Sequence, residues 1–328
     1  MNKAYKYRLY PNEEQAVLIN KTFGCVRFIY NQMLSNRIEI YQKYKDDKQA
    51  LKEQKYRLPA DYKKEYPWLK EVDSLALANA QLNLEQAYQN FFRDKSVGFP
   101  KFKSKHHSRK AYTTNNQKGT IRIIDSKTIR LPKLGNVHLK LHRAIPEDCI
   151  IKSATISQTP TGKYDISILV EYTTETPKVN PTIDSVMGLD YSSGSLYVDH
   201  MGNQPDYPRY YRKAEAKLKK EQRKLSQRKK GGKNREKQRQ KVAKLHEKAA
   251  NQRKDFLHKL SRQITNAYDA VAIEDINMRN IAQLLHLAKS TNDNGYGMLK
   301  SFLSYKLEEQ GKHLVVIDKW YPSSKTCY

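Results

Sequence analysis

Val186-Met187-Gly188-Leu189-Asp190, matched downstream by Ala270-Val271-Ala272-Ile273-Glu274, decides how the second half of this sequence reads. Each run has the length of a buried strand, and each closes on a carboxylate. Strand ends are where α/β domains place their sites, so Asp190 and Glu274 are candidate catalytic and metal-binding residues. Carboxylates brought together there suit Mg2+ (or Mn2+), which prefers oxygen ligands and keeps bound water. Two such ions can position an attacking water and stabilise a leaving oxygen in phosphodiester cleavage. Either acid alone reads equally well as a turn cap or a loop start, and such a site normally needs a third or fourth carboxylate. Asp275, Asp293 and Asp318 are available, but none lies in a compelling pattern.

Working outward, Ser195 to Asp199 reads as a second strand, Gly202-Asn203 as a turn and Tyr207 to Tyr210 as a third strand. A helix-forming stretch follows from Arg212 to about Tyr268, and Gly231-Gly232 interrupts it, which predicts a helical hairpin. Between Arg212 and Lys254 there are 19 Lys or Arg against four Glu. One sign repeated so often disfavours the helices unless a polyanion offsets the repulsion. Arg212, Lys213, Lys220, Arg223, Lys224, Arg228, Lys229 and Lys230 are therefore candidate nucleic-acid contacts. Gly297 to Gln310 reads as a helix ended by Gly311, and His313 to Ile317 as a strand. Hairpin strands followed by alternating helices and strands point to an α/β domain of ribonuclease H type.

Toward the N-terminus, Tyr5 to Leu9 alternates apolar and basic residues as a strand does. Pro11-Asn12-Glu13-Glu14 opens a helix with acids in its first turn, and more helix follows from Gln32 to about Leu51. Ser74 is the expected cap of another helix, turning Leu75, Ala78, Leu82, Ala87 and Phe91 toward a core. Gly98-Phe99-Pro100-Lys101-Phe102-Lys103-Ser104-Lys105 breaks the helical pattern, and its Lys101, Lys103 and Lys105 join the candidate contacts. Strands are then expected at Thr120 to Ile124, Thr128 to Leu131, Val137 to Leu141, Ile150 to Gln158 and Lys163 to Tyr172. Their spacing suggests a small β-barrel, which the lone first strand can join, making the helices an insertion. Thr176 to Pro181 reads as a linker.

The 328 residues allow about two domains. Lys and Arg number 61 against 34 acids, a net charge of +27 that draws polyanions such as DNA, RNA or an anionic membrane. No basic amphipathic stretch with a continuous apolar face stands outside the core helices, so no membrane partner is expected. The 23 Tyr far exceed the 8 Phe, and many sit beside cations, as in Tyr5-Lys6-Tyr7-Arg8. Such rings can stack on unpaired bases, although any one of them also serves as an ordinary half-buried residue. Cys25, Cys149 and Cys327 are too few for a disulfide framework or a four-cysteine zinc site. That usage, with no signal-peptide pattern, suggests a cytoplasmic, nucleoid-associated protein. His106, His107, His138, His142 and His313 have no ligand-like grouping.

Several segments together resemble the TnpB (OrfB) family of transposon-encoded proteins. Phe23-Gly24-Cys25-Val26-Arg27-Phe28-Ile29-Tyr30-Asn31 looks like its N-terminal helix, and Gly98 to Lys105 like its Gly-Phe-Pro-Lys-Phe-Lys-Ser-Lys segment. Gly188-Leu189-Asp190-Tyr191-Ser192-Ser193 is similar to the first RuvC motif, Tyr210 to Ser226 to the basic helix after it, and Ala272 to Met278 to the second RuvC motif. Asp318 to Cys327 resembles the entry to a zinc ribbon. The match runs in order along essentially the whole chain.

The resemblance implies a multidomain α+β protein. A wedge β-barrel would comprise 1–10 and 96–180, with a helical recognition domain (11–95) inserted in it. An incomplete RuvC-like, ribonuclease H-like α/β domain would occupy 181–328. It also implies an RNA-guided DNA endonuclease with a guide RNA from the transposon end and target DNA as partners, and Mg2+ (or Mn2+) held by three acids. Asp190 matches the first of these and Glu274 the second. Cys327 would be a lone remnant of the zinc site, because in this sequence only Tyr328 follows it, so zinc is not expected. With the third acid also missing, impaired cleavage is expected. The alternative is a cleavage-inactive RNA- and DNA-binding protein or an RNA-guided regulator, while a ribosomal-type basic protein fits the charge but not the motifs. Guide, target-adjacent motif and oligomeric state are not encoded in any motif. Because phosphate contacts release counterions, affinity for a single-stranded oligonucleotide should fall about a hundredfold or more between ~50 and ~200 mM salt. Salt-independent affinity in a filter-binding titration would contradict the electrostatic reading.

Overall fold

Tyr5, Tyr7 and Leu9 are buried while Lys6 and Arg8 between them reach outward to Asp165, at 3.0 and 3.7 Å. That period of two makes β1 (Asn2–Tyr10) a strand with one wet face. The computed structural model describes residues 2–173, 176–284 and 293–318. Two compact units emerge, Met1–Thr174 and Glu175–Tyr328.

In the first unit β1 lies inside a seven-stranded sheet with β2 (Ala111–Asn115), β3 (Arg122–Asp125), β4 (Thr128–Leu131), β5 (Gly135–Lys140), β6 (Cys149–Gln158) and β7 (Tyr164–Tyr172). The order is β2-β6-β7-β1-β5-β4-β3, and every pairing is antiparallel. The N-terminal strand thus joins the later ones. Strand β2 had no sequence signal: in Ala-Tyr-Thr-Thr-Asn only Tyr112 and Thr114 are buried.

Helix α1 runs unbroken through Glu13–Tyr44. Asn12 starts it with a capping box: its side chain accepts from Gln15 N at 2.8 Å, and Gln15 Oε1 accepts from Asn12 N at 3.1 Å. Gln15 also donates to the carbonyls of Leu134 and Asn136, which ties the helix start to the β4–β5 turn. Short helices α2 (Lys48–Glu53) and α3 (Pro59–Glu65) follow, then α4 (Ser74–Arg93). The cap of α4 is Asp73, which accepts from Leu75 N, rather than Ser74. Its buried face is Ala76, Leu77, Ala80 and Leu84, and Leu82 is exposed. The expected stripe was therefore misplaced. In a helix this rich in Ala and Leu two stripes compete, and the elements packed on α4, α1 and β2, select between them.

The second unit holds a four-stranded sheet of order β11-β10-β8-β9, formed by β8 (Val186–Ser192), β9 (Leu196–Asp199), β10 (Ala270–Glu274) and β11 (His313–Ile317). The β8–β10 and β10–β11 pairs are parallel, and β8–β9 is an antiparallel hairpin. Helices α5 (Tyr210–Ser226) and α6 (Lys233–Ala267) make the hairpin, followed by α7 (Met278–Leu284) and α8 (Tyr296–Glu309). Leu257 and Ile264 of α6 and Leu299, Leu303 and Leu307 of α8 bury Met187, Leu189, Val271 and Ile273. Tyr207 to Tyr210 is not a strand. The Tyr207 ring packs edge-on against Tyr210 and Phe256, and helix begins at Tyr210. Cys327 and the rest of 319–328 lie outside the described residues.

Gly311 closes α8 in the left-handed region, with φ +68°, while Lys312 N donates to Leu307 O at 2.8 Å. A Cβ there would overlap the carbonyl of Pro177. Gly311→Ala should therefore destabilise the second unit by about 2 kcal/mol or more. Chemical denaturation followed by circular dichroism checks this, and an unchanged midpoint would contradict the packing described.

Candidate metal and nucleic-acid sites

Leu189 of β8 pairs with Ile273 of β10 in parallel register. The next residue on each strand is therefore Asp190 and Glu274, side by side. In parallel strands such neighbours sit about 4.8 Å apart and face the same way. Leu189 and Ile273 point into the core, so the two carboxylates take the opposite face. Glu274 ends β10, whereas β8 continues two residues past Asp190, because Asp190 pairs with Val198 in the β8–β9 hairpin. Asp190 is exposed and Glu274 is half-buried.

Tyr296, the first residue of α8, is buried in the core cluster with Leu189 and Ile273. Burial, together with the negative charges of Asp190 and Glu274, pushes its phenol up to about 12. Its ring meets Tyr191 edge-on at 5.0 Å. Nothing in the sequence marked it, because a Tyr at a helix start reads as core.

Mg2+ is commonly held by one or two carboxylates, with water and substrate phosphates completing its shell. The Asp190–Glu274 pair fits that donor set. Two carboxylates side by side repel one another, and a divalent cation offsets the repulsion. Among the described residues no group of three or more His, Cys, Asp or Glu is arranged to hold a metal ion. The other acids have different surroundings. Asp275 is ion-paired with Lys300 at 3.3 Å. Asp318 follows β11 and is exposed. Asp293 is buried and works as a cap: it accepts from Tyr211 N at 2.9 Å and Arg212 N at 3.4 Å, and its carbonyl accepts from the Tyr207 hydroxyl at 2.5 Å.

The hairpin cations Arg212, Lys213, Lys220, Arg223, Lys224, Arg228, Lys229 and Lys230 are all exposed. Lys224 pairs with Glu221 at 3.2 Å. The seam between α5 and α6 is sealed by Leu218 and Val242, and by Gln238, which is buried and donates to Glu221. Arg235 is structural, donating to the carbonyls of Leu225 and Arg228 at the end of α5.

In the first unit Lys101 and Lys105 are exposed, but Lys103 is half-buried. The ammonium of Lys103 lies 3.8 Å from the centre of the Tyr30 ring, and burial pushes its pKa down. The Asn31 amide grips the Lys103 backbone on both sides, accepting from its N–H at 2.8 Å and donating to its carbonyl at 2.9 Å. A groove of about 550 Å³ opens here, and Arg27, Arg109 and Lys110 join Lys103 and Lys105 along it. Sequence reading missed Arg27, Arg109 and Lys110, which are separated along the chain.

Three family models match the sequence: "Probable transposase" over 167–285, "Helix-turn-helix domain" over 1–46 and "Cas12f1-like, TNB domain" over 296–328. In the structure 2–44 form one strand and one helix, not two helices about a turn. A Streptomyces pristinaespiralis protein named "Putative RNA-guided DNA endonuclease" is 35% identical over 336 residues, covering 100% of this chain and 80% of that protein. The Escherichia coli K12 protein named "Putative RNA-guided DNA endonuclease InsQ" is 29% identical over 341 residues, covering 99% of this chain and 83% of its own. The fold is similar to that of the protein in a Cas12f1-sgRNA-target DNA complex solved by cryo-EM. The TM-score is 0.57 at 11% identity, covering 100% of this chain and 91% of that one. A likeness at that identity speaks for the fold alone. The relative that is 35% identical along this whole chain carries the assignment: the chain belongs to the TnpB (OrfB) family of insertion-sequence transposase-type proteins.

Proposed function

We propose that this chain is an RNA-guided DNA endonuclease whose cutting centre is the Asp190–Glu274 pair. The observation that carries the proposal is the parallel register of β8 and β10 through Leu189 and Ile273, the residues just before the two acids. Asp190 and Glu274 would hold Mg2+ (or Mn2+). When bound, the cation supplies charge neutralisation at the scissile phosphate and an activated water. The exposed cations of the α5–α6 hairpin, with Lys101 and Lys105, would hold the phosphates of a guide RNA and its target DNA. Base pairing would read the sequence while the protein grips the backbone. Lys103, half-buried on Tyr30, would instead shape the groove. The seven-stranded sheet would act as the wedge, α1 to α4 as the recognition region, and the second unit as the RuvC-like nuclease domain.

A second reading, binding without cutting, is favoured by one observation. Among the described residues no group of three acids is arranged to hold a metal ion, whereas the family resemblance calls for three. The first reading predicts Mg2+-dependent cleavage of a duplex that matches the supplied guide. Asp190→Ala or Glu274→Ala should lower the cleavage rate on the order of 100-fold or more, with guide RNA affinity within about twofold of wild type. Tight RNA binding without cleavage at any Mg2+ or Mn2+ concentration would establish the second reading. RNA affinity that collapses in either variant while the fold persists would sink both.

A further inference from the structure

Helix α1 has a glycine at an interior position that neither its backbone nor its neighbours require. Gly24 is not in the left-handed region, and a Cβ built on it would meet nothing within 4 Å among the described residues. Gly weakens a helix interior relative to any residue but Pro, so what its missing side chain provides is the space beside it. That space is a pocket of about 400 Å³. Lys21, Gly24 and Phe28 line it from one face of α1, at helical spacings of three and four. Trp68, from the 3-10 turn Pro67–Lys70, and Glu71 just after that turn line it as well. Edge-on contacts at 5.0 Å with Phe28 and 6.0 Å with Tyr66 fix the indole of Trp68, which stays 43% exposed. An exposed ring fixed beside a gap is a surface on which another flat ring can stack.

Charge indicates what that ring belongs to. Glu71 is neutralised by Lys21 at 2.7 Å, whereas among the described residues no carboxylate pairs with the half-buried Arg27. Arg27 lines this pocket and also the basic groove of about 550 Å³ that holds Lys105, Arg109 and Lys110. A strand whose phosphates follow the groove therefore passes Arg27 with the pocket beside it. Guanidinium suits a phosphate through paired, charge-assisted hydrogen bonds. We propose that the pocket takes one unpaired base of an RNA or DNA strand, stacked on Trp68, with Arg27 on its phosphate. This rests on the nucleic-acid reading given above and adds to it a place that needs the base as well as the backbone.

The test uses the full chain and a short single strand, RNA or DNA, carrying 5-bromouracil, which joins to an adjacent aromatic side chain under ultraviolet light. Mass spectrometry then locates the attachment, which is expected at Trp68. Gly24→Leu, which fills the pocket, should lower that attachment about fivefold or more and unfold at the same or a higher temperature. An abasic strand of equal length should compete for Trp68 about fivefold less well than an intact one. Attachment by the RNA strand alone, or by the DNA strand alone, tells which of them supplies the base. Equal attachment in wild type and Gly24→Leu overturns the proposal, as does equal competition by the abasic strand. A fall in unfolding temperature of Gly24→Leu alongside the loss overturns it too, because the glycine would then serve the fold. Attachment at other residues and none at Trp68 sinks the pocket and leaves the wider nucleic-acid reading standing. If neither strand attaches anywhere or is retained at ~50 mM salt, that reading and the role of the pocket fall together.

Discussion

The parallel pairing of β8 with β10 is the constraint on which the second unit depends. Met187 and Leu189 on one strand and Val271 and Ile273 on the other are buried beneath α6 and α8. Each such side chain contributes about 1.5–3 kcal/mol relative to exposure. A slip of one residue would turn one set into solvent and send Asp190 and Glu274 to opposite faces. Apolar burial therefore fixes the register, and the register places two like charges together at a cost. Tyr296 enters through the same core, since α8 that carries it supplies Leu299, Leu303 and Leu307.

The basic hairpin solves a different problem. Nearly uniform positive charge opposes helix formation, and an exposed ion pair such as Arg239–Glu236 recovers little. What holds α5 to α6 is the Leu218 and Val242 seam, the buried Gln238 bonded to Glu221, and Arg235 on the last carbonyls of α5. Its acids are mostly engaged within the hairpin. The outer face is left cationic, suited to phosphate and sensitive to salt.

Much of the second unit was legible in the sequence because its signals are local. The runs Ala270 to Glu274 and His313 to Ile317 are strands with those bounds, and Gly231-Gly232 separates the two hairpin helices. What escaped depends on partners far along the chain. Asp293 caps a helix that starts 83 residues earlier, which no local pattern records. Strand β2 is polar and exists through its pairing with β6. The α4 stripe was misjudged because Leu75 and Leu82 are as apolar as Leu77 and Leu84, and only the partner helix decides between them. Asp190 and Glu274 were readable as acids closing apolar runs, but their common register is a property of strand pairing. Lys103 looked like its neighbours until Tyr30 and Asn31 were seen to hold it.

Anomalous diffraction from crystals grown with Mn2+ would reveal whether Asp190 and Glu274 share a cation. An anomalous peak is expected within coordination distance of both the Asp190 and the Glu274 carboxylates, about 2.0–2.3 Å from their oxygens. A peak bound elsewhere, with none between these two acids at saturating Mn2+, would contradict a shared site.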